Sequence, residues 1–237
     1  MPTALLFRDD AYATTTPATV LAVGDTGIVL DRTVFYAMGG GQPGDVGTMT
    51  LADGCAQALT NAVWSDEAKT EIAHVLAPGA TAPMIGETVL VSLDWQRRYA
   101  RMKVHSALHL LSVALPYPVT GGSIGDGEGR LDFDIPDGGL DKDAITATLR
   151  DMVARNADIS ERWITDEELD ANPALVKTMK VKPPRGSGRV RLVEIAGLDL
   201  QPCGGTHVRN TAEIGPVSVS QIEKKGKQNR RVRIILG

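Results

Sequence analysis

Three of the four histidines lie in two short motifs, HSALH at 105–109 and CGGTH at 203–207. A spacing of four residues puts His105 and His109 on one face of a helix, where both imidazoles can reach a single ion. Cys203 and His207 add further nitrogen and sulfur donors of the kind that Zn²⁺ prefers. The sequence therefore predicts a zinc site, and any fold of this chain must bring two distant segments together.

Two arrangements of this site are compatible with the sequence. Four protein ligands are typical of a closed structural zinc, whereas a catalytic zinc keeps one position open. Either all four side chains bind at once, with or without an expanded coordination of the metal, or one of them, such as Cys203, is displaced or remote. An isolated histidine pair is more often an ordinary surface or core feature, and it is the second motif that favours a metal.

The two motifs are expected on different kinds of backbone. Apolar residues recur at helical spacing from Asp94 to Leu115, and Pro116 ends the pattern. This pattern predicts a helix that carries both histidines of the first motif. The CGGTH motif instead contains a Gly-Gly turn, and a helix and a loop that share one ion form a cleft of the kind in which substrates bind.

The composition is that of an ordinary globular protein. The chain has 237 residues, a net charge of −4 and 43% hydrophobic residues, which suits one or two domains and gives no general sign of nucleic-acid binding. With Cys203 assigned to the metal, a disulfide to Cys55 is disfavoured and a cytoplasmic location is expected. The sequence shows neither a signal peptide nor a membrane-spanning run of roughly 20 apolar residues.

Periodicity predicts an α+β protein with two domains. Short alternating runs separated by turns indicate a small β-barrel over residues 1–93. Residues 94–237 combine the metal-binding helix with strands at 130–135 and 189–195 and an amphipathic helix at 141–156. Thr165 begins a capping-box pattern that predicts one more short helix.

Two glycine-rich segments are candidates for contact with a substrate. Gly39, Gly40 and Gly41 precede Gln42, and they predict either a tight loop or a ligand loop. No lysine follows, so this is not a phosphate loop of the Gly-Lys-Ser type. The second segment, 119–125, is interpreted as a mobile loop beside the metal-binding helix.

Hydroxyl and basic side chains supply the remaining candidates. Thr120 and Ser123 could read a polar substrate side chain, although hydroxyls in loops are more often simply solvated. The basic end of the chain is either a solvated hairpin or a contact to a phosphate backbone. The candidate cations are Lys225, Lys227, Arg230 and Arg231.

The chain resembles the alanyl-tRNA editing proteins called AlaX, which are freestanding relatives of the editing domain of alanyl-tRNA synthetase. The resemblance covers nearly the whole chain and rests on motifs that occur in the family's order. These motifs are 35–36 with 39–45, Arg97-Arg98 before 105–111, 131–134, 203–208 and 226–231. The medium-length members are the most similar. Ser106 stands where the family frequently has threonine, Ala37-Met38 replaces a proline-containing pair, and the segment at Gly121 lacks a glutamine.

The resemblance implies both a fold and an activity. The implied fold is a β-barrel followed by an α+β editing domain like the second additional domain of threonyl- and alanyl-tRNA synthetases. The implied activity is zinc-dependent deacylation, without ATP, of tRNA(Ala) mischarged with serine or, in some members, glycine. For this activity the candidate metal ligands are His105, His109, Cys203 and His207, and the candidate substrate-binding residues are Thr120, Ser123, Gly40, Gly41, Gln42 and Thr206.

Two other functional classes compete with an editing hydrolase. A zinc-stabilised module that binds tRNA without hydrolysing it has the same ligand set. A zinc peptidase is disfavoured, because Ser106 follows the first histidine where such an enzyme needs a glutamate as base. Removal of zinc distinguishes the non-hydrolytic module from an editing hydrolase, because a domain that depends on a purely structural zinc unfolds without it.

Overall fold

The computed structural model describes residues 2–136, 139–179 and 188–237. The chain divides into two compact units, Met1–Tyr99 and Ala100–Gly237. The predicted α+β class with an N-terminal β-barrel is confirmed. The assignment of residues 1–93 and 94–237 as the two domains stays a prediction. Among the described residues, no helix has both the length and the apolar character that crossing a membrane requires.

The first unit is built around a closed barrel of six strands. The strands of the whole unit are β1 (Ala4–Leu5), β2 (Thr15–Gly24), β3 (Gly27–Leu30), β4 (Arg32–Thr33), β5 (Gly47–Thr50), β6 (Ala56–Trp64), β7 (Ile72–Leu76) and β8 (Thr88–Leu93). The barrel order is β2-β3-β7-β6-β5-β8, and β1 pairs with β4 in parallel. Alternate residues of β8, such as Val89 and Val91, are buried in the core, as a period of two requires.

The segment with three consecutive glycines forms a tight turn. Gly39 and Gln42 exchange backbone hydrogen bonds of 3.1 and 2.9 Å. Between them, Gly40 and Gly41 have φ values of +58° and +84°, a region in which a residue without a Cβ is not strained. Farther along, a Cβ on Gly44 would lie only 2.1 Å from the carbonyl oxygen of Ala62 in β6. The predicted tight turn is confirmed, and its contact with a ligand stays a prediction.

A buried ion pair anchors the end of this glycine-rich segment. The Arg98 guanidinium is fully buried, and its Nε lies 2.9 Å from Asp45 Oδ2. The same guanidinium donates to the carbonyl oxygens of Ala11 and Val34, at 2.9 and 2.6 Å. Removing one partner of such a pair leaves an uncompensated buried charge, which costs about 3–5 kcal/mol. This pair links two of the motifs that carry the family resemblance.

The second unit contains two sheets and most of the helical residues. Its elements, with α1 beginning in the first unit, are α1 (Trp95–Ala114), β9 (Val119–Ile124), β10 (Glu128–Asp134), α2 (Lys142–Ala154), β11 (Ile159–Ile164), α3 (Asp166–Ala171), β12 (Val190–Ile195), β13 (Asp199–Pro202), β14 (Val217–Lys224) and β15 (Asn229–Leu236). One sheet has the order β14-β15-β10-β9 and the other β11-β12-β13. The predicted helices and the Thr165 capping box are confirmed.

The interpretation of 119–125 as a mobile loop is wrong for most of its length. Residues Val119–Ile124 form β9, which pairs with β10 so that Gly122 lies opposite Leu131. A Cβ on Gly122 would lie 3.0 Å from Leu131 Cδ2. The Leu131 side chain thus packs closely against the backbone of Gly122. Such close contacts require glycine inside a strand as well as in a loop, so glycine alone does not distinguish the two.

Close packing fixes α1 and α2 on the four-stranded sheet. A Cβ on Gly129 in β10 would lie 2.5 Å from Val104 Cγ1 of α1, so the helix rests directly on the strand. In α2, Thr146 accepts a hydrogen bond from the backbone of Val219 in β14 at 3.0 Å. The helix that carries the two predicted histidine ligands is therefore held on a rigid support.

The fourth histidine, His74, lies in the interior of the barrel unit. Its Nδ1 lies 3.1 Å from the carbonyl oxygen of Ile28 and its Nε2 lies 2.7 Å from Thr33 Oγ1. Its ring packs edge-on against Phe35 at 5.2 Å. Burial outweighs the hydrogen bond to Ile28 and lowers the pKa of His74 to about 4. The folded protein therefore holds this imidazole neutral.

The barrel unit is expected to lose stability in mild acid because of His74. The unfolded chain takes up a proton near pH 6.5 and the folded chain only near pH 4, so stability present above pH 6.5 is lost as the pH falls through this window. The loss amounts to about 3 kcal/mol. The free energy of unfolding, measured by urea titration from pH 7 to 4, should fall more steeply for wild type than for His74→Gln. Equal slopes would contradict the assignment.

Candidate metal centre

The structure brings together the four side chains that the two motifs identified as ligands. His105 and His109 come from α1, and Cys203 and His207 come from the loop after β13. Their ligand atoms all lie within 4.8 Å of one another. Cys203 Sγ is 3.5 Å from His105 Nε2 and 3.3 Å from His207 Nε2. A tetrahedral zinc with ordinary bond lengths separates its ligand atoms by about 3.3–3.7 Å, so the donor set and these two sulfur–nitrogen distances fit this ion.

The four ligands differ in how far water can reach them. His109 and His207 are buried, with 6% and 3% of their surface exposed. His105 and Cys203 are only partly buried. Water therefore reaches the cluster through His105 and Cys203, one ligand from each segment.

A buried carboxylate orients His109. Asp199 Oδ2 lies 3.0 Å from His109 Nδ1, and it also accepts a hydrogen bond of 2.7 Å from Gln201 Nε2. The other oxygen of Asp199 forms an ion pair with Lys177. When Nδ1 donates to this carboxylate, the lone pair of Nε2 is available to a metal, and the ring cannot rotate away.

A buried hydroxyl holds His207 in a similar way. Ser106 Oγ lies 3.2 Å from His207 Nδ1 and also accepts the backbone N–H of Val208 at 3.3 Å. Ser106 is fully buried on α1, one residue after the first histidine ligand. The helix thus positions a ligand of the loop, so the two motifs support each other directly. A serine hydroxyl is sufficient for this contact where the family frequently has threonine.

An arginine of β12 holds the loop that carries Cys203. Arg191 Nη1 donates to the carbonyl oxygens of Cys203 and Gly205 at 2.9 and 2.8 Å, and the same guanidinium forms an ion pair with Glu161. Between these two carbonyls, Gly204 is exposed, and a Cβ there would meet no atom within 4 Å. Arg191 therefore fixes the backbone of the loop, while Gly204 in the same loop is exposed and has no neighbour at the position of a Cβ.

The electrostatics of the cluster favour the thiolate form of Cys203, which is the form that coordinates metals. Burial alone would raise the pKa of the Cys203 thiol, but the charges of His105 and His207 hold it well below its usual range. Burial and the charge of His105 lower the pKa of His207. Burial would lower the pKa of His109 as well, but hydrogen bonds to Asp199 and Cys203 raise it to about 9. Without a metal, a thiolate is thus neutralised by a proton on an imidazole, and a divalent cation can take that role.

Several residues of this centre escaped the sequence analysis. Asp199 and Gln201 precede Cys203 by four and two residues, and in a strand this period of two places all three on one face. A strand prediction for residues 199–202, directly before the CGGTH motif, would have identified Asp199 and Gln201 as neighbours of the ligands. Lys177 and Arg191 carry no comparable signal, because their partners lie far away in the sequence.

The predicted substrate-binding residues occupy three places. Thr120 and Ser123 lie on β9, where Thr120 Oγ1 donates to the carbonyl of Asp132 at 3.1 Å and accepts from Asn229 Nδ2 at 2.9 Å. Thr206 is fully buried in the loop of the metal centre. Gly40, Gly41 and the buried Gln42 belong to the turn of the barrel unit. Their contact with a substrate stays a prediction.

The predicted tRNA-contacting cations lie at the β14–β15 hairpin. Lys225 pairs with Glu223 at 2.6 Å, and Arg231 binds Asp132 through two hydrogen bonds of 2.7 and 3.0 Å. Lys227 is exposed in the turn. The Arg230 guanidinium donates to backbone carbonyls of this turn at 3.2–3.4 Å.

Two family models match separate parts of the chain. The model of the threonyl and alanyl tRNA synthetase second additional domain matches residues 190–233, which include the loop with two of the four ligands. The model of class II (A) tRNA synthetases matches residues 8–97, which cover most of the barrel unit.

Curated relatives match the chain over nearly its full length. The alanyl-tRNA editing protein AlaX-M of Methanosarcina mazei is 31% identical over 97% of this chain and 95% of the relative. AlaX-M of Methanosarcina barkeri is 32% identical over 99% of both chains. The alanine–tRNA ligase of Korarchaeum cryptofilum is 33% identical over 94% of this chain but only 25% of the ligase.

Replacement of Asp199 by alanine is expected to weaken zinc binding by about 10- to 100-fold, because the carboxylate no longer fixes the His109 ring. The zinc dissociation constant can be measured by competition with a chromophoric chelator. Glu194→Ala is the control, since Glu194 lies on the neighbouring strand and pairs only at the surface with Arg162. An unchanged affinity in a folded Asp199→Ala variant would contradict the role given to this carboxylate.

Proposed function

Because the chain belongs to the AlaX family of alanyl-tRNA editing proteins, we propose that it is a trans-editing hydrolase. Its substrate is tRNA(Ala) mischarged with serine, and glycine is the second candidate amino acid. The reaction cleaves the ester between the amino acid and the terminal ribose and requires no ATP. The observation that carries this proposal is the convergence of His105, His109, Cys203 and His207 within 4.8 Å.

Zinc is the metal that we assign to this centre. Three imidazoles and one thiolate form a donor set typical of Zn²⁺, whereas Mg²⁺ and Ca²⁺ take oxygen ligands. When bound, Zn²⁺ supplies Lewis-acid chemistry that can polarise an ester or activate water. The protein's own residues hold the ligands: Asp199 and Ser106 fix two imidazoles, and Arg191 fixes the loop.

Thr120 is our candidate for the residue that reads the amino acid. Its hydroxyl proton donates to the carbonyl of Asp132 and one lone pair accepts from Asn229. A hydroxyl has one proton and two lone pairs, so one acceptor position remains for the hydroxyl of serine. Alanine lacks that hydroxyl and would leave the position unpaired, which is the physical basis for sparing correctly charged tRNA.

The same proposal assigns roles to the remaining candidates. Residues 1–93 and 94–237 act as the accessory barrel and the editing domain. The turn at Gly40, Gly41 and Gln42, together with Ser123 and Thr206, supports the substrate. The cations of the hairpin contact tRNA phosphates, and Lys227 and Arg230 contribute most because Lys225 and Arg231 already face carboxylates.

A zinc-stabilised tRNA-binding module without hydrolytic activity is the second candidate. The observation that favours it is the presence of four protein donors, which is typical of closed structural sites. Chelation distinguishes the two functions. A structural zinc leaves an unfolded domain when it is removed, whereas removal of a catalytic zinc leaves a folded and inactive protein.

Purified protein is expected to release serine from Ser-tRNA(Ala) and to leave Ala-tRNA(Ala) charged. His109→Ala and Cys203→Ala should abolish this release, because each removes one ligand of the metal. The release of labelled amino acid is measured together with zinc content and circular dichroism on the same preparation. Wild-type rates in zinc-free variants would contradict the metal mechanism, and a zinc-loaded folded protein without activity would favour the binding module.

Replacement of Thr120 by valine is expected to slow the release of serine by about 2- to 10-fold, the value of one hydrogen bond. Release of glycine, which has no hydroxyl to be read, should be unaffected wherever the wild type removes it. Ser123→Ala is the matched variant on the same strand and tests the other candidate hydroxyl. The assignment fails if Thr120→Val slows both amino acids equally, or if Ser123→Ala alone affects serine.

A further inference from the structure

One face of the four-stranded sheet carries polar and charged side chains. The other face packs on α1, since a Cβ on Gly129 in β10 would lie 2.5 Å from a side chain of that helix. Residues two apart in a strand share a face, so Arg130 and Asp132 of β10 lie on the side away from α1. Ser123 in β9 and Arg233 in β15 are the cross-strand partners of Arg130 and lie on the same side, here called the polar face.

Asp132 binds two arginines on the polar face. Arg231 donates to both of its carboxylate oxygens, at 2.7 and 3.0 Å. Arg130 donates to one of the same oxygens through Nη1, at 2.6 Å. The bidentate contact with Arg231 by itself balances the charge of this carboxylate. The positive charge of Arg130 is therefore in excess within the group.

Glu223 in β14 also binds two cations. Arg233 Nε and Lys225 Nζ lie 2.6 Å from its two oxygens. Strand register puts Glu223 opposite Arg231, so the two groups of ion pairs adjoin on the polar face. Together they contain four cations and two carboxylates, an excess of two positive charges. The cations are Arg130, Arg231, Arg233 and Lys225, and the carboxylates are those of Asp132 and Glu223.

A pocket lies on the sheet at Arg130 and Arg233. The Arg130 Nε and Nη2 groups and both Nη groups of Arg233 have no partner among the residues that the structure describes. The hydroxyl of the exposed Ser123 is likewise without a hydrogen bond in the described part of the chain. The pocket thus offers several N–H donors and one hydroxyl to a ligand. Its lining residues are Ser123, Gly125, Glu128, Gly129, Arg130 and Arg233.

The charges that line the pocket match those of a phosphodiester. Glu128 is exposed and forms no ion pair with any described residue, so its negative charge counts against the two arginines. The lining then has a net charge of about +1, and a phosphodiester carries one negative charge per nucleotide. Guanidinium groups present a planar fork of donors that fits the oxygens of a phosphate.

We propose that this pocket binds one phosphate of the tRNA backbone. The N–H groups of Arg130 and Arg233 donate to the phosphate oxygens, and the Ser123 hydroxyl donates a further hydrogen bond. This inference rests on the proposed function, which makes a charged tRNA the substrate. The hairpin that carries the proposed tRNA contacts Lys227 and Arg230 joins two strands of the same sheet, so one RNA strand can follow the hairpin and the polar face.

The test measures how the affinity for uncharged tRNA(Ala) depends on salt. Binding is titrated between about 50 and 200 mM salt for wild type, Arg130→Gln, Arg233→Gln and the double variant. We expect each single variant to bind about 3- to 10-fold more weakly. The double variant should reduce the slope of log affinity against log salt by about 1, because both arginines serve one phosphate. Asp132 and Glu223 keep Arg231 and Lys225 as partners, so these variants should fold, as zinc content and circular dichroism will show.

Three further variants separate a pocket from a general effect of charge. Arg162→Gln removes the same charge from an exposed arginine of β11, which faces Glu194 at 3.6 Å, and should leave binding unchanged. Glu128→Gln removes a negative charge beside the phosphate and should strengthen binding. Ser123→Ala should weaken binding by about 2- to 10-fold without altering the salt slope, because it removes a hydrogen bond but no charge.

The outcomes distinguish this inference from the proposed function. A slope that falls by about 2 in the double variant indicates two independent phosphate contacts and would overturn the single site, as would unchanged binding. Equal losses for Arg162→Gln and Arg130→Gln would also overturn it. If wild type releases serine while the pocket variants bind tRNA normally, only the pocket fails. If the variants behave as expected but wild type releases no amino acid, the hydrolytic function fails and the pocket stands.

Discussion

The metal centre depends on partners for the buried polar atoms that face away from the ion. An imidazole buried with one nitrogen unpaired is costly, and it can also rotate out of its ligand geometry. Here the rear nitrogens of His109 and His207 face Asp199 and Ser106, and the loop carbonyls face Arg191. The geometry of the four candidate ligands is therefore set by the protein's own hydrogen bonds and ion pairs.

The two charged partners, Asp199 and Arg191, are themselves balanced by opposite charges, Lys177 for the first and Glu161 for the second. Burial alone would raise the pKa of the Asp199 carboxyl group. Its hydrogen bonds and charge interactions with His109 and Lys177 outweigh burial and lower this pKa to about 2. The backbone of Lys177 also accepts a hydrogen bond of 3.0 Å from Val119, the first residue of β9. One short segment thus connects the carboxylate of the metal centre with the strand that carries Thr120.

Glycine has several different roles in this chain. At Gly40 and Gly41 it allows positive φ in a turn, and at Gly44 and Gly129 it allows close contact between backbone and a neighbour. At Gly204 it leaves the rim of the metal centre bare. The sequence shows only that a Cβ is missing, and this is why the glycines of β9 were interpreted as a loop.

The sequence by itself determined the four candidate ligands, the helix that carries two of them and the barrel. These features depend on residue type and on spacing within one element, such as the four residues from His105 to His109, and local periodicity is visible in a sequence. Only the tertiary structure decided that Asp199 contacts His109 and that Arg191 holds the loop. Such choices depend on strand register and packing between distant segments, which local patterns do not specify.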